Sequence, residues 1–426
     1  MLVTKYPIIN GSEHELSNWL TSAGIDTTKL VINTLPYGEH RLVAACPIMA
    51  GEGILTLPLS HLMSATKARQ SAVGEKMIRA GLSKHSLDSF LAAYILQQRQ
   101  SQGAFWSLYL DALPADFTHI PVFYSPGDLL LLQSSPLLEM VLSRRFTLEQ
   151  DYNQLKAVAE FKDYSLLDYM WARTAINSRC FSLQGDVVMA PLMDFANHKS
   201  EPNASWGGAE DNLSLKLISE KTIAPGEEVT ISYRATSNRC FYARYGFVRE
   251  DDRFNCARIT LALEPGDALL SEKMKLLGIT DTSLDFDIGA NEEQGFLRAM
   301  KFLRISTADQ LQTAASAYEQ PQSKAAELVA LEAFLSCVRR MLALYELPTV
   351  AGAEAVITEL NRNNSEKFIA QEKHTLNSYV LLAATAITLL THGNSLQYLK
   401  QDIETGYQAD ILALTQVSMA ESGEES

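Results

Sequence analysis

The sequence predicts an α+β chain, with a strand-rich core that is interrupted by a helical insert and followed by an all-α C-terminal domain. Three observations predict it. Short β-branched runs bounded by turn residues occur in two separated blocks, at about 30–59 and 187–233. Between them, over about 60–175, apolar residues recur at helical spacing. Beyond Asp267 long amphipathic segments take over and no strand run of note is expected. A parallel doubly wound sheet would need strand and helix to alternate throughout, and that rhythm is absent, as is a Gly-rich strand-to-helix turn.

In the first block Leu42-Val-Ala-Ala45 and Ile54-Leu-Thr-Leu57 flank Ala50-Gly-Glu-Gly53 and read as two strands joined by a turn. In the insert Phe90, Leu91, Tyr94 and Ile95 share one helical face, with Asp88 as the expected N-terminal cap. Phe105, Leu108 and Tyr109 repeat the spacing, and Pro114, Pro121, Pro126 and Pro136 cut the region into short pieces. In the second block Leu213–Ile218 alternates, Ala224-Pro-Gly-Glu227 is a turn and Val229–Tyr233 is β-branched. Leu328–Leu342 and Leu376–Leu390 are the strongest helices of the remainder. Two domains are expected, 1–255 and 256–426.

Composition excludes several classes. With 36 Lys+Arg against 50 Asp+Glu, the net charge of −14 disfavours sequence-independent binding of nucleic acid, which rests on neutralising phosphates. The 5 cysteines are scattered, without C-x-x-C spacing, so neither a disulfide framework nor a metal cage is expected. Val380–Leu390, the longest apolar run, is too short to span a bilayer. The N-terminal stretch has no secretory pattern, and a cytoplasmic monomer is the expectation.

Chemistry concentrates between Arg179 and Val248. Asp194, Asn197 and His198 follow a strand in Met189-Ala-Pro-Leu-Met-Asp-Phe-Ala-Asn-His198. Thr230-Ile-Ser-Tyr233, Ser237-Asn238 and Tyr245-Gly-Phe-Val248 come later. This ordered set closely resembles SET-domain methyltransferases of the Rubisco large-subunit methyltransferase class. Phe105–Pro114, Pro121–Ser125 and Leu131–Leu138 are similar to the helical insert of that class, so the resemblance covers most of residues 31–400.

The resemblance implies a knotted β-rich SET domain, a helical substrate-binding domain, S-adenosylmethionine as cofactor and no metal. It implies that Tyr233 sits at the floor of the acceptor channel, where a phenol oxygen accepts a hydrogen bond from an amine and orients its lone pair. By the same resemblance Gly38, Glu39, His40, Arg179, Asp194, Asn197, His198 and Tyr233 meet the cofactor. Arg179, Phe181, Asp194, Tyr233 and Tyr245 line the acceptor site. Without the resemblance, a strand-end tyrosine reads as a half-buried packing residue and Arg179–Asp194 as a buried ion pair.

Two departures matter. The class carries G-x-G before the Leu-Val-Ala strand, and here Glu39 and Arg41 stand where its glycines are expected, which crowds the cofactor or redirects the backbone. The histidine-directed members carry Asn at the place of Phe181 and Arg just before the Ser-Asn pair, where this sequence has Thr236. The implied substrate is a protein lysine, with a histidine acceptor as the alternative. A non-catalytic SET-derived binding module is the competing class of function.

Overall fold

The computed structural model describes residues 12–34, 40–101, 103–209, 213–234, 236–250, 252–262, 266–277, 280, 282–289, 324–345 and 358–392. The chain divides into two compact units, Met1–Phe123 with Leu142–Ala235, and Tyr124–Val141 with Thr236–Ser426.

The first unit opens with α1 (Ser12–Ser22), followed by β1 (Leu30–Thr34), β2 (His40–Ala44) and β3 (Gly53–Pro58). After β4 (Met63–Ser64) comes the insert: α2 (Ala65–Gln70), α3 (Ala72–Arg79), α4 (Leu87–Gln100) and α5 (Ser107–Asp111). The short α6 (Pro126–Leu130) belongs to the second unit, and α7 (Pro136–Leu155) begins there. Then follow α8 (Leu166–Arg179), β5 (Cys180–Leu183), β6 (Asp186–Met189), β7 (Asn197–His198), β8 (Ala204–Gly208), β9 (Ser214–Ser219) and β10 (Thr230–Ile231).

These strands form small sheets rather than one large one: β1-β2, β3-β9-β8 and β4-β6-β5, all antiparallel, and the parallel pair β7-β10. The two strands expected around Gly51 both exist, but they pair in different sheets, β2 with β1 and β3 with β9. The helix expected over Phe90–Ile95 is α4, capped by Ser86, whose hydroxyl accepts from the Ser89 backbone; Asp88 sits in the first turn instead. Of two polar candidates two residues apart, the first took the cap and left the acid to the helix dipole.

α8 is the organising helix. Ser165 and Asp168 form a capping box, with Ser165 Oγ accepting from Asp168 N at 3.2 Å and Asp168 Oδ2 accepting from Ser165 N at 2.8 Å. Every residue from Asp168 to Ile176 is buried, and α8 packs against α4, with Tyr169 and Arg173 bonded to Ser89. At Arg179 the helix stops, because Cys180 turns extended and continues directly into β5. A long helix with a buried middle thus ends where the sequence concentrates its chemistry.

In the second unit α9 (Asn238–Tyr245) ends at Gly246, whose φ of +77° is what a left-handed C-terminal cap requires and what glycine tolerates without a Cβ penalty. β11 (Cys256–Ala262), α10 (Leu270–Leu277), β12 (Ser283–Gly289), α11 (Lys324–Leu344) and α12 (Glu359–His392) complete it. The C-terminal part is therefore not all helical. β11 and β12 pair antiparallel from Cys256↔Gly289 to Ala262↔Ser283, and Phe286 and Ile288 join Phe334, Val338, Tyr379 and Leu382 in one core. Asp285 and Asp287 on the alternate positions hide this strand in the sequence; both are tied to Arg258 on β11. Among the described residues no helix is long and apolar enough to cross a membrane.

Candidate active site

Six of the candidate residues, His40, Arg179, Asp194, Asn197, His198 and Tyr233, meet around the turn that precedes β7. Leu192 adopts φ +70° and ψ −45° at the head of a single 3-10 turn, Met193–Phe195. A branched, buried residue at positive φ is strained, and such strain persists only where the surroundings over-determine it. The turn carries Asp194 inward. Its side chain is wholly shielded from solvent.

Two groups approach that carboxylate. Tyr109, buried on α5, donates its hydroxyl to Asp194 Oδ2 at 2.9 Å. Arg179, the last residue of α8, places Nη1 3.6 Å from the same oxygen and donates to the Asp194 carbonyl at 3.1 Å. Its guanidinium also lies 5.5 Å above the Phe195 ring. Asp194 Oδ1 and Arg179 Nε are both buried without a hydrogen-bond partner among the described residues. Burial pushes the Asp194 carboxyl up to about 6, against the opposing pull of Arg179 and Tyr109. Burial, with the neighbouring Asp194 charge, also holds the Tyr109 phenol well above its ordinary value, so it remains a donor. His119, from the loop after α5, is pulled below its ordinary value by burial, and the Arg179 charge adds to this against the pull of Asp116.

Asn197 and His198 form β7, in parallel register with Thr230 and Ile231 of β10. Asn197 Nδ2 donates to Glu228 Oε1 at 2.8 Å and to the His40 carbonyl at 3.3 Å. It thereby joins β7, β2 and the segment entering β10. Nearby, Asn203 donates to the Glu228 carbonyl and accepts from the Thr230 backbone, pinning the same segment from the other side. His198 Nδ1 accepts from the Tyr233 backbone N–H at 3.2 Å, which puts the ring proton on Nε2 and commits Nδ1 as an acceptor. Tyr233 donates its own hydroxyl to the Ala196 carbonyl at 3.1 Å, and its ring centroid lies 5.4 Å from that of His198.

His40, Arg179, Asp194, Asn197, His198 and Tyr233 are thus linked through one turn and one parallel strand pair. The His40 ring is packed 4.9 Å from Phe195. Phe181 is buried on β5 and packs edge-on against Trp206 at 4.9 Å. Tyr245 belongs to the second unit, at the end of α9 against Phe241 and Phe247. Gly38 and Glu39 lie outside the described residues, while Arg41 is paired with Asn33 in the β1-β2 register. Sequence reasoning missed Tyr109 as a functional residue, along with Phe195 and Glu228. Tyr109 read as one aromatic of a helical face, and its partner is 85 residues away. Among the described residues no group of three or more His, Cys, Asp or Glu is arranged to hold a metal ion.

Comparison with known proteins gives this geometry its context. The SET domain family model matches residues 40–234. The chain is 22% identical over 295 residues to the ribosomal lysine N-methyltransferase set10 of Schizosaccharomyces pombe, covering 65% of this chain and 53% of that protein. It is 23% identical over 310 residues to the actin-histidine N-methyltransferase of Gallus gallus, covering 68% and 52%. The chain spans about half the length of the curated relatives it matches. Its fold is that of the SET domain of LSMT solved with lysine and AdoHcy, with a TM-score of 0.75 over 95% of this chain and 99% of that one at 19% identity. Rubisco LSMT bound to AdoMet superposes with a TM-score of 0.74, also at 19% identity, over 95% of this chain.

Proposed function

We propose that the protein is an S-adenosylmethionine-dependent protein N-methyltransferase, from the premise that residues 40–234 match the SET domain family model. The observation that carries the proposal is the buried Tyr109–Asp194–Arg179 cluster, one turn away from the Tyr233 phenol. A carboxylate oxygen and a guanidinium N–H left unpartnered in a buried position are costly unless something else pairs with them. The aminocarboxylate end of the proposed cofactor carries an ammonium and a carboxylate, which suits that pair of vacancies in sign. Asn197, His198 and His40 hold the backbone around it.

Bound S-adenosylmethionine supplies an electrophilic methyl group on a sulfonium. The chain's own part is to bring up a nitrogen with its lone pair free. Tyr233 has its hydrogen committed to Ala196 O, so its oxygen acts on an incoming amine as an acceptor. A lysine ammonium has an unperturbed pKa of about 10.4, and an apolar channel favours the neutral amine by making the charged form costly. Phe181, held edge-on by Trp206, is assigned to that apolar wall. His198 is not assigned as a base, because its Nδ1 is already the acceptor of the Tyr233 N–H.

Lysine is the proposed acceptor and a folded protein the proposed substrate, with residues 256–426 supplying the docking domain. Phe181 and Thr236 both depart from the histidine-directed pattern, which supports lysine. The similarity to actin-histidine methyltransferases keeps histidine as the second reading. Calorimetry with S-adenosylmethionine tests the first step. Saturable one-to-one binding that weakens severalfold in Asn197→Ala is expected, since that change removes the two hydrogen bonds that hold β7 to the His40 carbonyl and to Glu228. No binding at millimolar ligand overturns the reading in favour of a non-catalytic module. Mass spectrometry of labelled product then separates lysine from histidine.

A further inference from the structure

We propose that Tyr109 is a positioning residue of this site: by occupying Oδ2 of Asp194, it leaves Oδ1 as the one carboxylate oxygen presented to an incoming cation. The inference rests on the function proposed above and assigns the helical insert a part in it. A carboxylate in a site can rotate and offer either oxygen. Here the choice is made by two groups from different elements. Tyr109 on α5 bonds Oδ2 at 2.9 Å, and Arg179 at the end of α8 stands 3.6 Å from the same atom, while Oδ1 has no partner among the described residues.

The asymmetry is built, not incidental. The Asp194 backbone is fixed from both sides, by its carbonyl to Arg179 and by its N–H to the Ala190 carbonyl at 3.1 Å. The strained Leu192 sets the turn that aims the side chain. Tyr109 is itself fully buried, packed edge-on at 6.5 Å from Trp106, and cannot swing away without opening the core. Its donor is neutral, so it selects an oxygen without discharging the carboxylate, as a second cation would. A cation reaching Oδ1 therefore meets a full negative charge in a water-poor setting, where such a pairing is strongest. The charged and titratable groups around the carboxylate are Arg179 from α8, Tyr109 from α5 and His119 from the following loop, which faces Arg179; Cys180 of β5 acts on Tyr109.

The test is Tyr109→Phe in the full chain, which keeps the ring and deletes the donor. Loss of a hydrogen bond to the charged form raises the carboxyl pKa, so the acid limb of methyl transfer is expected to move up by about one pH unit. At pH 8.5, where Asp194 is ionised in both proteins, KM for S-adenosylmethionine is expected to rise roughly tenfold with kcat changed less than threefold, as for loss of a binding contact shared by ground and transition states. An unmoved acid limb with unchanged KM overturns the proposal. Incorporation of 3,5-difluorotyrosine at position 109 strengthens the donor at constant shape, and the limb then moves the other way. A wild-type chain that transfers no methyl group would count against the function and not against this inference. In that case the Asp194 carboxyl is titrated by 13C NMR, assigned with Asp194→Asn. A rise in Tyr109→Phe sustains the positioning role, and an unchanged titration ends it.

Discussion

α8 carries two arginines six residues apart, and each belongs to a cluster with a carboxylate and a tyrosine, but the two clusters are built to opposite ends. Arg173, in the middle of the helix, places Nη1 at 2.8 Å from Asp151 Oδ2, 2.7 Å from the Tyr169 hydroxyl and 2.9 Å from Ser89 Oγ. Burial pulls this guanidinium down, yet Tyr169 and Asp151 outweigh it and hold Arg173 above its ordinary value. Arg179, at the helix end, keeps a looser 3.6 Å from Asp194, and there burial wins and the carboxyl rises to about 6. Both arginines leave a buried Nε without a hydrogen-bond partner among the described residues, but the first cluster bonds its guanidinium tightly and stabilises its charge. The other is left open around a wholly buried carboxylate, which costs stability and is worth keeping only if a ligand closes it.

The comparison breaks most visibly if Arg173 is removed. Arg173→Met leaves Asp151, Tyr169 and Ser89 without their shared donor, and truncating one partner of a buried pair costs 3–5 kcal/mol in well-shielded cases. Asp151 keeps some contact with water, so a loss near the lower end, about 3 kcal/mol, is expected by urea unfolding. Methyl transfer per folded molecule stays the same in this variant.

Asp194→Asn should act with the opposite sign on stability. Because the folded carboxyl is raised, the native state binds more protons than the unfolded chain between the ordinary 3.8 and about 6. Stability contributed by this group is present at low pH and is lost as pH rises through that window. The full interval corresponds to roughly 3 kcal/mol, and the Asn variant recovers at most that much because it also leaves Arg179 uncompensated. The variant and the parent should therefore melt together below pH 4, with the variant gaining stability up to pH 7 while methyl transfer is lost. A variant less stable at pH 7 than at pH 4, relative to the parent, would place Asp194 among the stabilising pairs and erase the distinction between the clusters.

The two clusters also differ in how far the sequence discloses them. Asp194, Asn197, His198 and Tyr233 are singled out in the sequence because they sit on one short turn and two strand ends, in an order that carries the family resemblance; without it Tyr233 reads as packing and Asp194 as half of an ion pair. The Tyr109 partnership is not legible, since an amphipathic helix buries an aromatic in the same pattern whether or not its hydroxyl finds a carboxylate. The same holds for Ser89, Asp151, Tyr169 and Arg173, which come from three helices. In the second unit β12 escapes notice for a different reason. Its strict alternation of Leu284, Phe286 and Ile288 with Asp285 and Asp287 is a strand pattern, but the two acids lower its β propensity until Arg258 is placed beside them.

The smallest expected effect is the most discriminating control. Ser165→Ala removes the hydroxyl half of the capping box at the start of α8, four turns upstream of Arg179, and a lost N-cap costs typically about 1 kcal/mol. Arg173 and Arg179 ride on the same rigid helix, so fraying its first turn lowers stability without changing how either guanidinium meets its carboxylate. The acid limb of methyl transfer and the S-adenosylmethionine affinity should stay where they are while the melting point falls by a few degrees. If the limb moves with the melting point, the open cluster is set by the docking of α8 as a whole. If it stays, Asp194 answers to its immediate partners, Tyr109 and Arg179, and the helix serves only to deliver them.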